Sequence, residues 1–528
     1  MSLPTAIIAR GYFPAEFPPP FTTLDLATYS HATGLAALNK TCATHPWTRP
    51  MRHSLARHGG LRRALSVPNP VNFLRLTEAF DIAWLPEIEP LLSTIRLASS
   101  QPILSAGPRA FAPRWSDRRS TLEALARSGC RYLLVTDIQN FFPSIYTHSI
   151  PWVLHGKAAS KAALKLGKKA PSFIGDVIDK AIREGQDGQT MGLPIGPDTS
   201  WVLAEALLAR VEQQLVIALP RLSGHRFNDD FSIATRSQSD AETAMDALQS
   251  CLAEYELSLN PLKTSIQQLP VPIEDEGIAE LRLWKLRPAP SAQRTDLIAY
   301  FDRVAELVQT GRGDPIASYA VARLRTETIL PSSWHLLEAL VLQLLVSEPA
   351  CAKQAAMTLS MLSGAGHVLS RSAVSNAAET LILRHAPLGH TSEVAWALWL
   401  CLAAHAPISA HTANAVSSVD DSVVALLALH AKTAGLVTTA YSYGTWEQAM
   451  TVDELDGPRW LLSYEARQKA WLPSMGAADH RVGHPLFEQL SKAGVSFYDS
   501  IQLSLKYLPP SPVAGGSSGG SPYSHIFT

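Results

Sequence analysis

RYLLVTDIQNFF at residues 131–142 and HRFNDDFSIAT at residues 225–235 are the two stretches on which the fold turns. The apolar run Tyr132 to Val135 reads as a buried strand and places Asp137 at its end. In the second stretch, apolar and aromatic residues flank an Asn-Asp-Asp centre, the pattern of a tight hairpin. Adjacent acids beside a core are costly unless a cation compensates them, and hard divalent ions take carboxylate oxygens. Asp137 and Asp229 are candidates to hold two ions about 3.5–4 Å apart, the arrangement that clamps the attacking and leaving oxygens of a phosphoryl displacement. Alone, Asn228-Asp229-Asp230 is weak evidence, because Asn and Asp are ordinary turn residues.

The segments between and after the two stretches strengthen the case. GQTMGLPIGPDTSWVLAEALL, residues 188–208, sets Gly192, Pro194, Gly196 and Pro197 in a stiff turn that feeds a helix from Asp198 or Thr199. After a further helix, ELSLNPLKTS places Lys263 behind a short extended run. DIQNFF, GLPIGPDTS, FNDD and LSLNPLKT stand in the order of four palm motifs over roughly residues 130–270. In this the chain resembles a reverse transcriptase. GYFPAEFPPPF near the N-terminus, the GLPIGP variant and the long helical C-terminal region resemble more narrowly the bacterial abortive-infection (Abi) and defence-associated reverse transcriptases.

The resemblance implies an α+β right-hand polymerase, with fingers and palm, followed by an all-α, HEAT-like helical-repeat domain. It implies that Asp137 and Asp229 are the principal ligands of two Mg²⁺ ions (Mn²⁺ as an alternative), that Asp230 supports them and that Ile138 adds a backbone carbonyl. Phe142 takes the place of the aromatic that disfavours a 2′-hydroxyl. Gly192, Pro194 and Gly196 would shape the floor under the incoming nucleotide, where absent side chains permit close approach. Lys263 takes the place of the lysine that protonates departing pyrophosphate, against the plainer reading of a solvated loop lysine. Arg109 and Arg114, with Arg118 and Arg119, are candidates to grip phosphates, although their surroundings match ordinary fingers motifs poorly. Phe227 stands where the family has Tyr, which keeps the ring and loses a hydroxyl. Neither a basic maturase-like region nor an RNase H constellation follows the palm.

Charge along the chain agrees with a local phosphate site. The 528 residues carry a formal charge of -1, but residues 1–170 sum to +11, 171–290 to -8 and 291–528 to -4. Between Arg49 and Arg131 there are thirteen arginines and no lysine; these either meet phosphate or pair with Glu78, Glu87, Glu89 and Glu123. Hydrophobic residues at 46% and charged residues at 17% exclude a mainly disordered chain. Five scattered cysteines, Cys42, Cys130, Cys251, Cys351 and Cys401, give neither a disulfide framework nor zinc-finger spacing. With no signal-peptide core in MSLPTAIIARGYFP and no long apolar span, a membrane-free bacterial cytoplasmic protein is expected.

The expected organisation is an N-terminal and fingers region at 1–125, the palm at 126–288, a helical repeat domain at 289–508 and a Pro/Gly/Ser-rich flexible tail at 509–528. SSWHLLEALVLQLLV, SAVSNAAETLILRHA, SEVAWALWLCLAAHA and SVVALLALHA read as helices of an irregular solenoid or, alternatively, of an ordinary bundle. His385, His405 and His430 fall near helix C-termini and are read as dipole partners, not as metal ligands.

The function so implied is DNA synthesis from dNTPs by two-metal nucleotidyl transfer in antiphage defence, with a template or structural RNA as partner, in a homo-oligomer. By the same resemblance a tyrosine primes synthesis, with Tyr12, Tyr29, Tyr498, Tyr507 and Tyr523 as candidates, each equally readable as a core or surface aromatic. The alternatives are an RNA-dependent RNA polymerase, disfavoured by Phe142 and by Asn228 in place of Gly, and an inert palm on a helical binding scaffold.

Overall fold

Leu133, Leu134, Phe231, Ile233 and Ala234 are buried on neighbouring strands, and the sheet they form carries the candidate site. The computed structural model describes residues 1–115, 118–166, 173–310, 316–439, 441–472 and 478–502. These fall into two units. The first comprises residues 1–14, 23–50 and 66–273; the second comprises 15–22, 51–65 and the chain from Glu274 onward. Two N-terminal segments expected to lie with the fingers, 15–22 and 51–65, thus belong with the C-terminal helices. The 509–528 tail, with Tyr523, and Tyr507 lie outside the described residues.

The described strands are β1 (Met51–Ala56), β2 (Arg62–Val67), β3 (Pro102–Leu104), β4 (Phe111–Pro113), β5 (Tyr132–Asp137), β6 (Ser223–Phe227), β7 (Asp230–Thr235) and β8 (Ser265–Gln268). The last four make one sheet in the order β6-β7-β5-β8. β5 pairs antiparallel with β7 so that Leu134 faces Ile233 and Asp137 faces Asp230. β6 and β7 are joined by the two residues Asn228 and Asp229, between the paired Phe227 and Asp230. Asn228 takes a left-handed φ of 50°, which Asn tolerates better than most residues.

Helices close over this sheet. Gln238–Ala253 starts with a capping box in which Ser237 and Asp240 satisfy each other's backbone N–H groups. It buries Ala241, Ala244, Leu248, Cys251 and Leu252, a stripe at helical spacing. Asp198–Ala218, 21 residues long, is buried on nearly every face between Val202 and Ala209, as befits a helix inside the unit.

The second unit, β1 and the start of β2 apart, is built of helices among its described residues. The four apolar helices read from the sequence are observed at Trp334–Ser347, Arg371–His385, Thr391–Ala404 and Ser422–Thr433. The segment 51–65 is bound to them by buried polar groups. His53 Nδ1 lies 2.9 Å from Asp421 Oδ2, and the other oxygen of Asp421 accepts from the N–H groups of Val423 and Val424 as a helix N-cap. Among the described residues no single helix is long and apolar enough to cross a membrane.

His405 caps its helix at φ 50°, but His430 and His385 do more than favour a dipole. His430 is buried, its Nδ1 2.9 Å from the Tyr498 hydroxyl. Burial, aided by Lys469, holds the His430 pKa down to about 4. In an unfolded chain the imidazole titrates near 6.5. As pH falls from 6.5 toward 4, the unfolded state therefore takes up a proton that the folded state refuses, and stability is lost across that window. Thermal unfolding should show a loss of about 1–3 kcal/mol between pH 7 and pH 4.5, and His430→Gln should make this pH dependence shallower.

Candidate active site

Asp137 reaches the site as the last residue of β5, with its side chain nearly buried. Asp229 and Asp230 arrive on the β6–β7 turn, and the strand register sets Asp230 across from Asp137. Three carboxylates thereby share one end of the sheet. Burial first, then the charges of Asp230 and Asp137, push the Asp229 carboxyl up to about 7. Asp230 is raised as well, by burial and by Asp137, against the opposing pull of Arg119 and Lys263. Such a group of acids is short of cations.

Lys263 forms an ion pair with Asp137 Oδ2 while remaining more than half exposed. Burial works to lower its pKa, but the hydrogen bond to Asp137 and the charges of Asp137, Asp230 and Asp229 outweigh it and raise it. The turn that carries Lys263 is fixed to the end of β5, where the Asn260 N–H donates to the Asp137 carbonyl at 2.8 Å and the Gln139 N–H to the Ser258 carbonyl at 2.9 Å. The Ile138 carbonyl takes no part in these two bonds.

The chain reverses just after Asp137 into the short helix Phe141–Ser144, on which Phe142 is half-buried. The Leu193 N–H donates to the Phe142 carbonyl at 2.9 Å and the Gly192 N–H to the Ile145 carbonyl at 2.8 Å, so the GLPIGP loop is docked on this helix. Gly192 has φ 89°, and a Cβ there would stand 3.3 Å from the Pro143 carbonyl oxygen. Pro194 is buried behind it. Gly196 needs its missing side chain for a different neighbour than the nucleotide floor expected for it. At φ 135° a Cβ would meet Pro14 Cγ at 2.6 Å, so the close approach there is by the protein's own N-terminal segment.

Arg109 also differs from expectation. Its guanidinium ion-pairs with Asp198 and donates to the carbonyls of Gly196 and Phe13, which ties the GLPIGP loop and the following helix to the N-terminus and leaves it committed within the protein. Arg114 is exposed and lies over the Trp115 ring at 4.9 Å, with Arg118 at 5.0 Å from the same ring. Arg119 stacks on Phe227 at 4.7 Å, the ring immediately before Asn-Asp-Asp.

Of the tyrosines, Tyr12 and Tyr498 are fully buried. Tyr12 donates to the Pro68 carbonyl at 2.6 Å and stacks on Phe73; Tyr498 meets His430 and packs against Phe21 and Trp471. Both are core residues, with hydroxyls that substrate does not reach in this arrangement. Tyr29 is partly exposed.

Residues that local motif reading passed over hold the acidic turn from beneath. Arg226 is fully buried and pairs with Glu205 at 2.9 Å and Glu212 at 3.7 Å. It also donates to the Asn228 carbonyl at 2.8 Å. Ser100 accepts from the Asn228 N–H and donates to Glu205, each at 2.8 Å, while Trp201 Nε1 donates to the Asn228 side chain at 3.1 Å. The backbone N–H, the carbonyl and the side-chain oxygen of Asn228 are thus all engaged, which holds the turn. The sequence carried one signal for this network, the carboxylates Glu205 and Glu212 on one helical face among the apolar residues of Asp198–Ala218.

Residues 88–278 match the family model described as reverse transcriptase (RNA-dependent DNA polymerase), a span that contains all four motif segments. No significant match is found among curated proteins.

Removing Arg226 strands a buried carboxylate. Arg226→Met should destabilise the protein by about 3–5 kcal/mol. In chemical denaturation, Glu205→Gln in the same chain should restore a substantial part of that loss, and its failure to do so would show that the pair is not the source.

Proposed function

We propose that the reverse transcriptase domain at residues 88–278 is an active DNA polymerase that adds dNMPs by two-metal nucleotidyl transfer. The observation that carries this reading is the register that gathers Asp137, Asp229 and Asp230 at one sheet end, with Asp229 raised by burial and by the two neighbouring carboxylates. The donor set is all oxygen, which fits Mg²⁺. Asp137 and Asp229 would be the principal ligands, Asp230 and the Ile138 carbonyl the supporting ones. Such ions supply Lewis-acid stabilisation of the attacking and leaving oxygens.

The chain's own groups do the rest. The primer 3′-hydroxyl would lose its proton to water as its oxygen forms a bond to the α-phosphorus of the dNTP, while the bond from that phosphorus to the bridging oxygen breaks and pyrophosphate departs. Lys263, exposed and cationic beside the acids, would protonate the departing oxygen. Phe142, on the reversal after Asp137, would lie under the sugar and crowd a 2′-hydroxyl. Gly192 and Pro194 would form the nucleotide floor, with Gly192 conformationally obligatory. Arg119 and the exposed Arg114 and Arg118 offer cations for the strand, whereas Arg109 serves to hold the loop.

The physiological reading is antiphage defence of the abortive-infection kind, with a template or structural RNA and a homo-oligomer as its setting. Its support is the resemblance of GYFPAEFPPPF and GLPIGP together with the helical second unit. If a tyrosine primes the product, Tyr29 is favoured over the buried Tyr12 and Tyr498, and Tyr507 and Tyr523 stand beside it as candidates.

Asp229→Asn should abolish dNTP incorporation in a primer-extension assay with Mg²⁺, and retained wild-type activity would sink the polymerase reading. Phe142→Ala should leave dNTP incorporation measurable while improving rNTP use by about tenfold or more, the scale of 1.4 kcal/mol in discrimination. An unchanged rNTP to dNTP ratio would remove Phe142 from that role.

A further inference from the structure

His385 ends the helix Arg371–His385, and a short 3-10 turn, Ala386–Leu388, follows it. Gly389, at a left-handed φ of 64°, then reverses the chain, and the His390 N–H returns to the His385 carbonyl at 3.1 Å. His390 is the N-cap position of the helix Thr391–Ala404, and Glu393 lies in its first turn. This compact helix-turn-helix therefore brings three ligand-bearing side chains to one point.

Their atoms converge closely. The Nδ1 atoms of His385 and His390 are 2.9 Å apart, and Glu393 Oε1 lies 3.6 Å from the first and 3.7 Å from the second. A tetrahedral zinc-class ion with bonds of about 2.0–2.1 Å sets its ligand atoms about 3.3 Å apart. The observed separations straddle that value. Hydrogen bonding within the protein accounts for the geometry less well. It joins one imidazole to the other but leaves Glu393 beyond hydrogen-bond reach of both rings.

The surroundings fix the carboxylate as an outer shell would. Ser392 Oγ donates to Glu393 Oε2 at 2.8 Å, and Arg62 donates to Oε1 and, at 3.0 Å, to Oε2. A carboxylate oxygen has two lone pairs, so Arg62 on Oε1 leaves one for a metal. His385 and Glu393 are buried, while the His390 side chain is 25% exposed and gives the point access to solvent.

We propose that His385, His390 and Glu393 bind one zinc-class divalent ion through two nitrogens and one oxygen, with water at the fourth position. Imidazole nitrogen selects for Zn²⁺ and its neighbours over Mg²⁺, in contrast to the all-oxygen palm. The ion pins the turn between two core helices and, through Arg62 on Glu393, the 51–65 segment. The assignment does not depend on the polymerase reading.

The test uses the full chain carrying Asp137→Asn and Asp229→Asn, so that the palm acids do not contribute. After loading with Zn²⁺ and desalting, metal analysis should find about one zinc per chain, and His390→Ala or Glu393→Gln should reduce it to background. Co²⁺ should give a visible ligand-field absorption that vanishes with either change. Zn²⁺ should raise the thermal midpoint of the parent and not that of the His390→Ala chain. A parent that retains no zinc overturns the proposal, as does zinc retention unaffected by both substitutions; two variants of different burial keep the result readable if one folds poorly.

Discussion

Three carboxylates at one end of a small sheet repel each other, and the first unit is built around holding them there. The backbone does it: the β5–β7 ladder puts Asp137 opposite Asp230 with no freedom to slide, because a one-residue slip would turn Leu134 and Ile233 out of the core. The two-residue turn then offers Asp229 a single place. Beneath it, the buried guanidinium of Arg226 supplies the positive charge that lets Glu205 and Glu212 lie inside the unit. The repulsion is thus carried by hydrophobic register above and by an internal ion-pair network below.

Lys263 and Arg119 partly relieve that shortage from opposite sides. Lys263 comes from the chain after β5's neighbour Ser258–Asn260, and Arg119 from the start of a helix that lies against β6 and β7. Lys263 is more than half exposed and Arg119 half-buried, so solvent reaches both cations and screens their charges.

Much of this was legible in the sequence because strands, turns and caps are local. The apolar run in RYLLVTD, the Asn-Asp centre and the GLPIGP turn each identify their own conformation. What local reading passed over depends on residues far apart in the chain. Arg109 looks like any other member of an arginine-rich stretch until Asp198, 89 residues on, closes on it. Gly196 looks like a nucleotide floor until Pro14 fills the space. Tyr12 and Tyr498 look like candidates for chemistry until burial is known, and His385 looks like a helix-end residue until Gly389 folds its neighbours back. In each case the side chain's type was readable and its partner was not.

The buried pair His53 and Asp421 has a consequence in time. The two residues stand 368 positions apart, yet each satisfies the other inside the second unit. At the usual rate of about 5–20 residues per second, a ribosome needs roughly 20–70 s to make Asp421 after His53 has emerged. Throughout that interval the segment 51–65 has no finished site to occupy. The nascent chain must keep these residues soluble while the first unit is being synthesised, and the polar character of RHSLARHGGLRR suits a stretch that waits in water before it is enclosed.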